Sequence, residues 1–171
     1  MAIIENKLID NTLLVTINNP SKRNSMIIGF HDELQSTIKM GEENKDVNSI
    51  IITGAGDFFC AGGDLNGLKT RRSMTEDERY NALGELNGTI QAIYECSKPI
   101  ISAIEGGAAG AGVSLAMACD LVVMSEHTFF SLAYVKIGLT PDGTATKFLS
   151  ETMPRQMLSE IAMIGGKIDA S

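Results

Sequence analysis

Ile100–Ser125, IISAIEGGAAGAGVSLAMACDLVVMS, is the stretch whose reading decides the fold of this chain. Ile100 to Ile104 is β-rich, and only glycine and alanine stand from Gly106 to Gly112. A small-residue helix is predicted over Val113 to Cys119, and Leu121 to Val123 reads as another strand. A turn from Glu105 to Gly112 with so little side-chain bulk lets its backbone approach a ligand or another backbone closely. The start of the helix after it carries N–H groups without intrahelical acceptors, which suits an anion. The stretch therefore reads as a site made of main chain, set between two strands.

Composition bounds what surrounds it. At 171 residues, 44% hydrophobic and 20% charged, the chain suits one soluble domain with a substantial core. Residues 1–11 do not have the pattern of a signal peptide, and no apolar run reaches membrane-spanning length, so a cytoplasmic location without a membrane partner is expected. Fourteen basic against twenty-one acidic residues give a net charge of -7 with no basic tract. Nucleic acid is not an expected partner, although a local basic spot could hold a small phosphorylated ligand. Cys60, Cys96 and Cys119 lack metal-site spacing and are read as reduced thiols, Cys119 in the core. His31 and His127 form no catalytic or metal cluster, so no metal is expected.

Outward from the central stretch, the chain alternates strand and helix. Ile3 to Ile9 and Leu13 to Ile17 make a hairpin through Asp10-Asn11, and Ser21 to Asn24 form a polar, partly basic loop. Ile27, Phe30, Leu34 and Ile38 share a helical face, with the helix ending near Gly41. Val47 to Thr53 is a strand whose Ile50-Ile51-Ile52 suggests a sheet covered on both faces. Phe58 to Leu65, FFCAGGDL, places large apolar residues before a second small-residue turn, in which Asp64 could cap the following helix. Lys69 to Arg79 is charged and expected to lie over a cleft; its Arg71-Arg72 pair could meet phosphate or be plain surface. Tyr80 to Ile93 continues as an amphipathic helix. After the central stretch, Phe129-Phe130 starts a short strand, Thr140 to Gly143 is a turn, and helices follow near Thr144 to Leu149 and over Arg155 to Ile164. No internal repeat is visible, and the β-to-α rhythm favours an α/β fold.

Phe58 to Leu65 followed by Ile104 to Asp120 resembles the paired signature of the enoyl-CoA hydratase/isomerase, or crotonase, superfamily. The similarity extends through the loop Asn18-Asn19-Pro20 to Met26 and the segment Ile137 to Asp142. The resemblance implies an α/β, crotonase-like β-β-α superhelix with two roughly perpendicular sheets, assembled as a trimer or a pair of trimers. It also implies an acyl-CoA substrate, with coenzyme A entering only as the thioester carrier and no retained cofactor. Two backbone N–H groups hold an enolate oxygen in this family; matched by motif they are those of Ala61 and Ala111. Lys22, Arg23 and the backbone around Phe59, Cys60 and Gly63 match the region that contacts coenzyme A, and Tyr134 falls in the acyl pocket.

Side-chain chemistry narrows the reaction. The two glutamates of a family hydratase fall at Ser114 and Tyr134, neither a carboxylate, so the two-glutamate hydratase is disfavoured. Pro141-Asp142 resembles the segment of family isomerases in which one carboxylate moves a proton, and Asp142 is the candidate base against a reading as a turn or cap residue. Three classes stay open: an isomerase shifting a double bond from position 3 to position 2, an atypical hydratase or lyase, and an acyl-CoA-binding protein without turnover. Family members continue beyond the position of Ser171, so residues 1–171 are read as the core domain, short of the C-terminal helices that build the trimer.

Overall fold

The computed structural model describes residues 2–70 and 73–170; the Arg71-Arg72 pair lies outside the described residues. The chain opens with β1 (Ile4–Ile9) and β2 (Thr12–Ile17), paired antiparallel through the expected turn. Helix α1 (Phe30–Glu43) follows, then β3 (Ser49–Gly54), α2 (Leu65–Thr70) and α3 (Glu76–Tyr94). The central stretch supplies β4 (Ile100–Ile104), β5 (Gly107–Ala109), α4 (Ala111–Met117) and β6 (Leu121–Met124). Last come β7 (Phe129–Ser131), a 3-10 turn at Ala133–Ile137, α5 (Ala145–Ser150), α6 (Arg155–Ile164) and β8 (Lys167–Asp169).

These strands build two sheets. The larger runs β1-β2-β3-β4-β6, parallel after the first pair; the smaller runs β5-β7-β8. Cys60 joins the smaller sheet through a parallel bridge to Ala108, and Met26 bridges Gly63 beyond it. Chain order therefore cycles three times through a strand of the large sheet, a segment of the small sheet and a helix. That β-β-α repeat lies in connectivity and not in residues, which is why no repeat is visible in the sequence.

Local chemistry accounts for the main elements. The box formed by Thr75 and Glu78 starts α3: Glu78 N–H donates to Thr75 Oγ1 at 3.2 Å and Thr75 N–H to Glu78 Oε2 at 2.7 Å. Glu78 consequently has its carboxyl held below the usual range, mainly by the Thr75 backbone hydrogen bond. Helix α1 ends at Glu43, near Gly41 as expected, and Gly41 sits in its last turn, where a Cβ would lie 2.6 Å from Leu13 Cδ2; the glycine lets helix and sheet approach. Leu34 and Ile38 from α1 and Ile90 and Ile93 from α3 share the core with Val15, Ile50, Ile52 and Ile100. Burial alternates along β2, β3 and β4, so the large sheet is covered on one face, and the double coverage suggested by Ile50-Ile51-Ile52 is not found: Ile51 is half-buried. The glycine-rich segment is likewise more than a turn, since Gly107–Ala109 is a strand of the small sheet.

Candidate active site

Two turns far apart in sequence meet just past the small-sheet segments. Ala109 N–H donates to the Cys60 carbonyl at 2.9 Å, which sets the Ala61–Gly63 turn beside the Gly110–Ala111 turn. The fit is close: a Cβ at Gly62 would lie 2.6 Å from the Ala109 oxygen and 3.0 Å from the Ala111 nitrogen. Gly62 and Gly110 have φ of 80° and 53°, which side chains rarely adopt, so glycine is needed at both for conformation as well as space. Gly110 N–H donates to the Ser131 carbonyl at 3.0 Å, drawing the segment that ends in Tyr134 to the same place.

The donor expected at Ala61 is corrected by this geometry. Ala61 N–H donates to the Arg23 carbonyl at 2.9 Å, so it ties the turn to the Lys22-Arg23 loop and is not directed at a ligand. Met26 N–H donates to the Gly62 carbonyl at 2.8 Å and Asp64 N–H to the Met26 carbonyl at 3.2 Å. In such a parallel bridge the intervening residue turns its own N–H to the opposite side, so Gly63 N–H points away from Met26. Among the described residues, no acceptor takes the N–H of Gly63 or of Ala111. The motif places Gly63 in the region that contacts coenzyme A and not among the donors, because it weighs residue types, whereas the direction of an N–H depends on which neighbour the strand pairs with.

Phe59 and Cys60 tie the two turns together. Both side chains are completely buried, Phe59 N–H donates to the Glu105 and Gly107 carbonyls at 3.0 and 3.2 Å, and Cys60 N–H reaches the Gly107 carbonyl at 3.4 Å. They hold the two turns in register and offer a ligand neither side chain nor N–H. Burial pushes the Cys60 thiol up to about 12, so it is no nucleophile at neutral pH. Lys22 and Arg23 do lie at the site's edge. Lys22 Nζ is 3.8 Å from Asp64 Oδ2, half exposed, and the Arg23 guanidinium carbon is 5.5 Å from the Phe58 ring centroid.

Asp142 is not the cap that its turn setting suggests. Its carbonyl, and not its carboxylate, accepts from Ala145 N–H at 3.3 Å, and Thr144 stands at the N-cap of α5 without a side-chain hydrogen bond. The carboxylate instead accepts from Tyr134: the hydroxyl lies 2.8 Å from Asp142 Oδ1. Ser114, fully buried on α4, donates its hydroxyl to the Asp142 carbonyl at 3.1 Å. Tyr134 is buried, and its phenol is pushed well above the usual range, first by desolvation and then by the Asp142 charge and hydrogen bond. It remains a neutral donor. A Cβ on Gly110 would lie 3.9 Å from the Tyr134 hydroxyl, so this pair sits directly against the turn that presents Ala111 N–H.

Free main-chain donors beside a tethered carboxylate suit a reaction in which negative charge develops on an oxygen while a proton moves nearby. The described residues contain no cluster of three or more metal-ligating side chains, and no helix among them is long and apolar enough to cross a membrane. The α/β fold with two sheets and this site define the crotonase class.

Comparison with known proteins agrees. Residues 9–171 match the enoyl-CoA hydratase/isomerase family model, and the chain belongs to that family. It is 33% identical over 157 residues to a probable enoyl-CoA hydratase, EchA14, of Mycobacterium tuberculosis, covering 92% of this chain and 60% of that protein. It is 32% identical over 165 residues to the 1,2-epoxyphenylacetyl-CoA isomerase of Escherichia coli, covering 92% and 61%. The crystal structure of an enoyl-CoA hydratase from Polaromonas sp. JS666 superposes with a TM-score of 0.94 at 36% identity, over 98% of this chain and 65% of that one. The chain thus spans less than two thirds of the length of each of these relatives.

Proposed function

We propose that this chain forms the catalytic core of an enoyl-CoA isomerase that moves a double bond from position 3 to position 2 of an acyl-CoA. The observation that carries this reading is the tie between Asp142 and Tyr134: a lone carboxylate is bound to the hydroxyl that stands where a family hydratase would have its second glutamate. In a 3-enoyl thioester the C2 proton is acidified by both the thioester and the double bond. Asp142 takes that proton and returns it at C4, while the negative charge rests on the thioester oxygen between the N–H groups of Gly63 and Ala111. Each donor of such a pair is worth about 3–4 kcal/mol of barrier when aimed at the developing charge. No water is added, so no second carboxylate is needed.

Coenzyme A is the carrier of the substrate in this reading, with Lys22 and Arg23 toward its phosphates. Assembly into a trimer or a pair of trimers is part of the same reading. Its support is apolar surface on the chain, including Ile28, Met163 and Ile164 at 99%, 74% and 67% exposure. Sedimentation of the purified chain tests the assembly.

The reaction is tested by supplying 3-enoyl-CoA and 2-enoyl-CoA separately and resolving products by chromatography and mass. Conversion of the 3-enoyl substrate without mass gain, abolished by Asp142→Asn, is the expected result. A water adduct would replace this reading with a hydratase, and ligand binding without turnover would replace it with a binding protein.

A further inference from the structure

We infer that Tyr134 is a positioning residue that, together with Ser114, holds Asp142 as a proton carrier working through one oxygen. The inference rests on the isomerase reading above and specifies how its base is controlled. Asp142 closes a loop whose residues 135–140 are all exposed, so a carboxylate there has little packing of its own to direct it. Two hydroxyl groups supply the direction. Ser114 donates to the Asp142 carbonyl at 3.1 Å, and the next residue, Gly143, is packed so tightly that a Cβ would lie 2.9 Å from Ser114 Oγ. Tyr134 donates to Oδ1 at 2.8 Å. Both donors are buried, and Ser114 lies on α4 three residues after Ala111. The carboxylate is therefore registered against the same helix that presents one of the enolate donors.

With Oδ1 engaged, Oδ2 is the oxygen left to work. The C2–H bond breaks, its electron pair enters the dienolate and charge collects on the thioester oxygen, while the proton goes to Oδ2. The electrons then return to form the C4–H bond with that same proton, and Asp142 regains its charge. Tyr134 keeps its own proton throughout, since a buried phenol beside a carboxylate does not ionise near neutral pH. A carboxylate pinned through Oδ1 keeps its protonated Oδ2 directed at the substrate between the two half-steps, which favours delivery to C4 over exchange with water. The proton removed from C2 should therefore reappear at C4.

The test uses 3-enoyl-CoA deuterated at C2, in ordinary water, with deuterium at C4 read by mass spectrometry beside kcat and KM. Tyr134→Phe is expected to lower kcat by about tenfold to a hundredfold, the scale of one hydrogen bond to a charged group. KM should stay within about threefold, and the deuterium retained at C4 should fall to half or less of the unmodified protein's value. A Tyr134→Phe variant that keeps kcat and retention within twofold, alongside an inactive Asp142→Asn, overturns the inference and leaves the isomerase reading standing. Full turnover by Asp142→Asn overturns both. A second measurement is independent of how Tyr134→Phe folds: the 13Cζ chemical shift of Tyr134 at neutral pH in a chain carrying Tyr80→Phe and Tyr94→Phe. Adding Asp142→Asn should move that shift, because the hydroxyl loses its charged acceptor, and an unchanged shift would show that the contact is absent in solution and overturn the inference.

Discussion

Gly62 stands so close to Ala111 that a Cβ on it would come within 3.0 Å of the Ala111 nitrogen, and within 2.6 Å of the Ala109 oxygen. Both obstacles are backbone and cannot swing aside. Gly62→Ala should therefore cost stability by about 1–3 kcal/mol from its positive φ and the clash together. It should also push the Ala111 N–H off its line, so activity is expected to fall further than stability. Urea unfolding and the isomerase assay on the same preparation separate the two effects.

Asn24 is the hub of the loop that carries Lys22 and Arg23. Fully buried, it accepts from Asn19 N–H at 2.8 Å and donates to the carbonyls of Ala55 and Phe58 at 2.9 and 2.6 Å. Asn24→Ala leaves three backbone groups without their partner and should lower stability by about 2–4 kcal/mol, visible as a reduced urea midpoint. Asn24→Asp should recover none of it, because a buried carboxylate oxygen would face the Ala55 and Phe58 carbonyl oxygens where the amide now donates.

Alkaline pH should weaken the fold. Burial holds the Cys60 and Cys119 thiols at about 12, against about 8.5 for an unfolded thiol. Above the unfolded value the unfolded chain releases protons that the folded chain keeps, so stability is full below about pH 8.5 and falls as pH rises toward 12. Tyr134, raised by burial and by Asp142, acts in the same direction above about pH 10. Urea midpoints between pH 7.5 and 10.5, on the order of the window those values define, should decline, and replacing both buried cysteines with alanine should flatten the decline.

Lys22 shares its charge with Asp64 across 3.8 Å while remaining half exposed. Lys22→Ala should weaken coenzyme A binding by about threefold to tenfold, a loss that shrinks as salt is raised because the contact is solvent-screened. Asp64→Asn should act oppositely, freeing the ammonium for phosphate. Calorimetric titration at two salt concentrations checks both, and equal affinities across all three proteins would remove Lys22 from the binding site.

Much of the fold is written in local pattern. The hairpin through Asp10-Asn11, the apolar face of α1, the strand of Ile100 to Ile104 and the stop at Gly165 after α6 all follow from periodicity and turn chemistry acting over a few residues. The limits are equally local. Gly41 has the look of a helix end, yet it is also a contact point with Leu13, a residue distant in sequence. Gly107–Ala109 has no strand former in it and is a strand because Phe129–Ser131 pairs with it.

The chain's own residues determine that glycine and alanine line two turns, that serine and tyrosine stand at positions 114 and 134, and that Asp142 follows Pro141. Those are matters of residue type, fixed before any folding. Which N–H groups are left to face a substrate is decided only when the strands pair, since pairing with Arg23 and Met26 uses the Ala61 donor and turns Gly63 outward. Likewise Asp142 is a turn residue by pattern, and becomes a tethered carboxylate only because the Tyr134 hydroxyl is folded to within 2.8 Å of it. Hydrogen bonds are directional and short, so their partners belong to the tertiary structure even where the groups that make them are plain in the sequence.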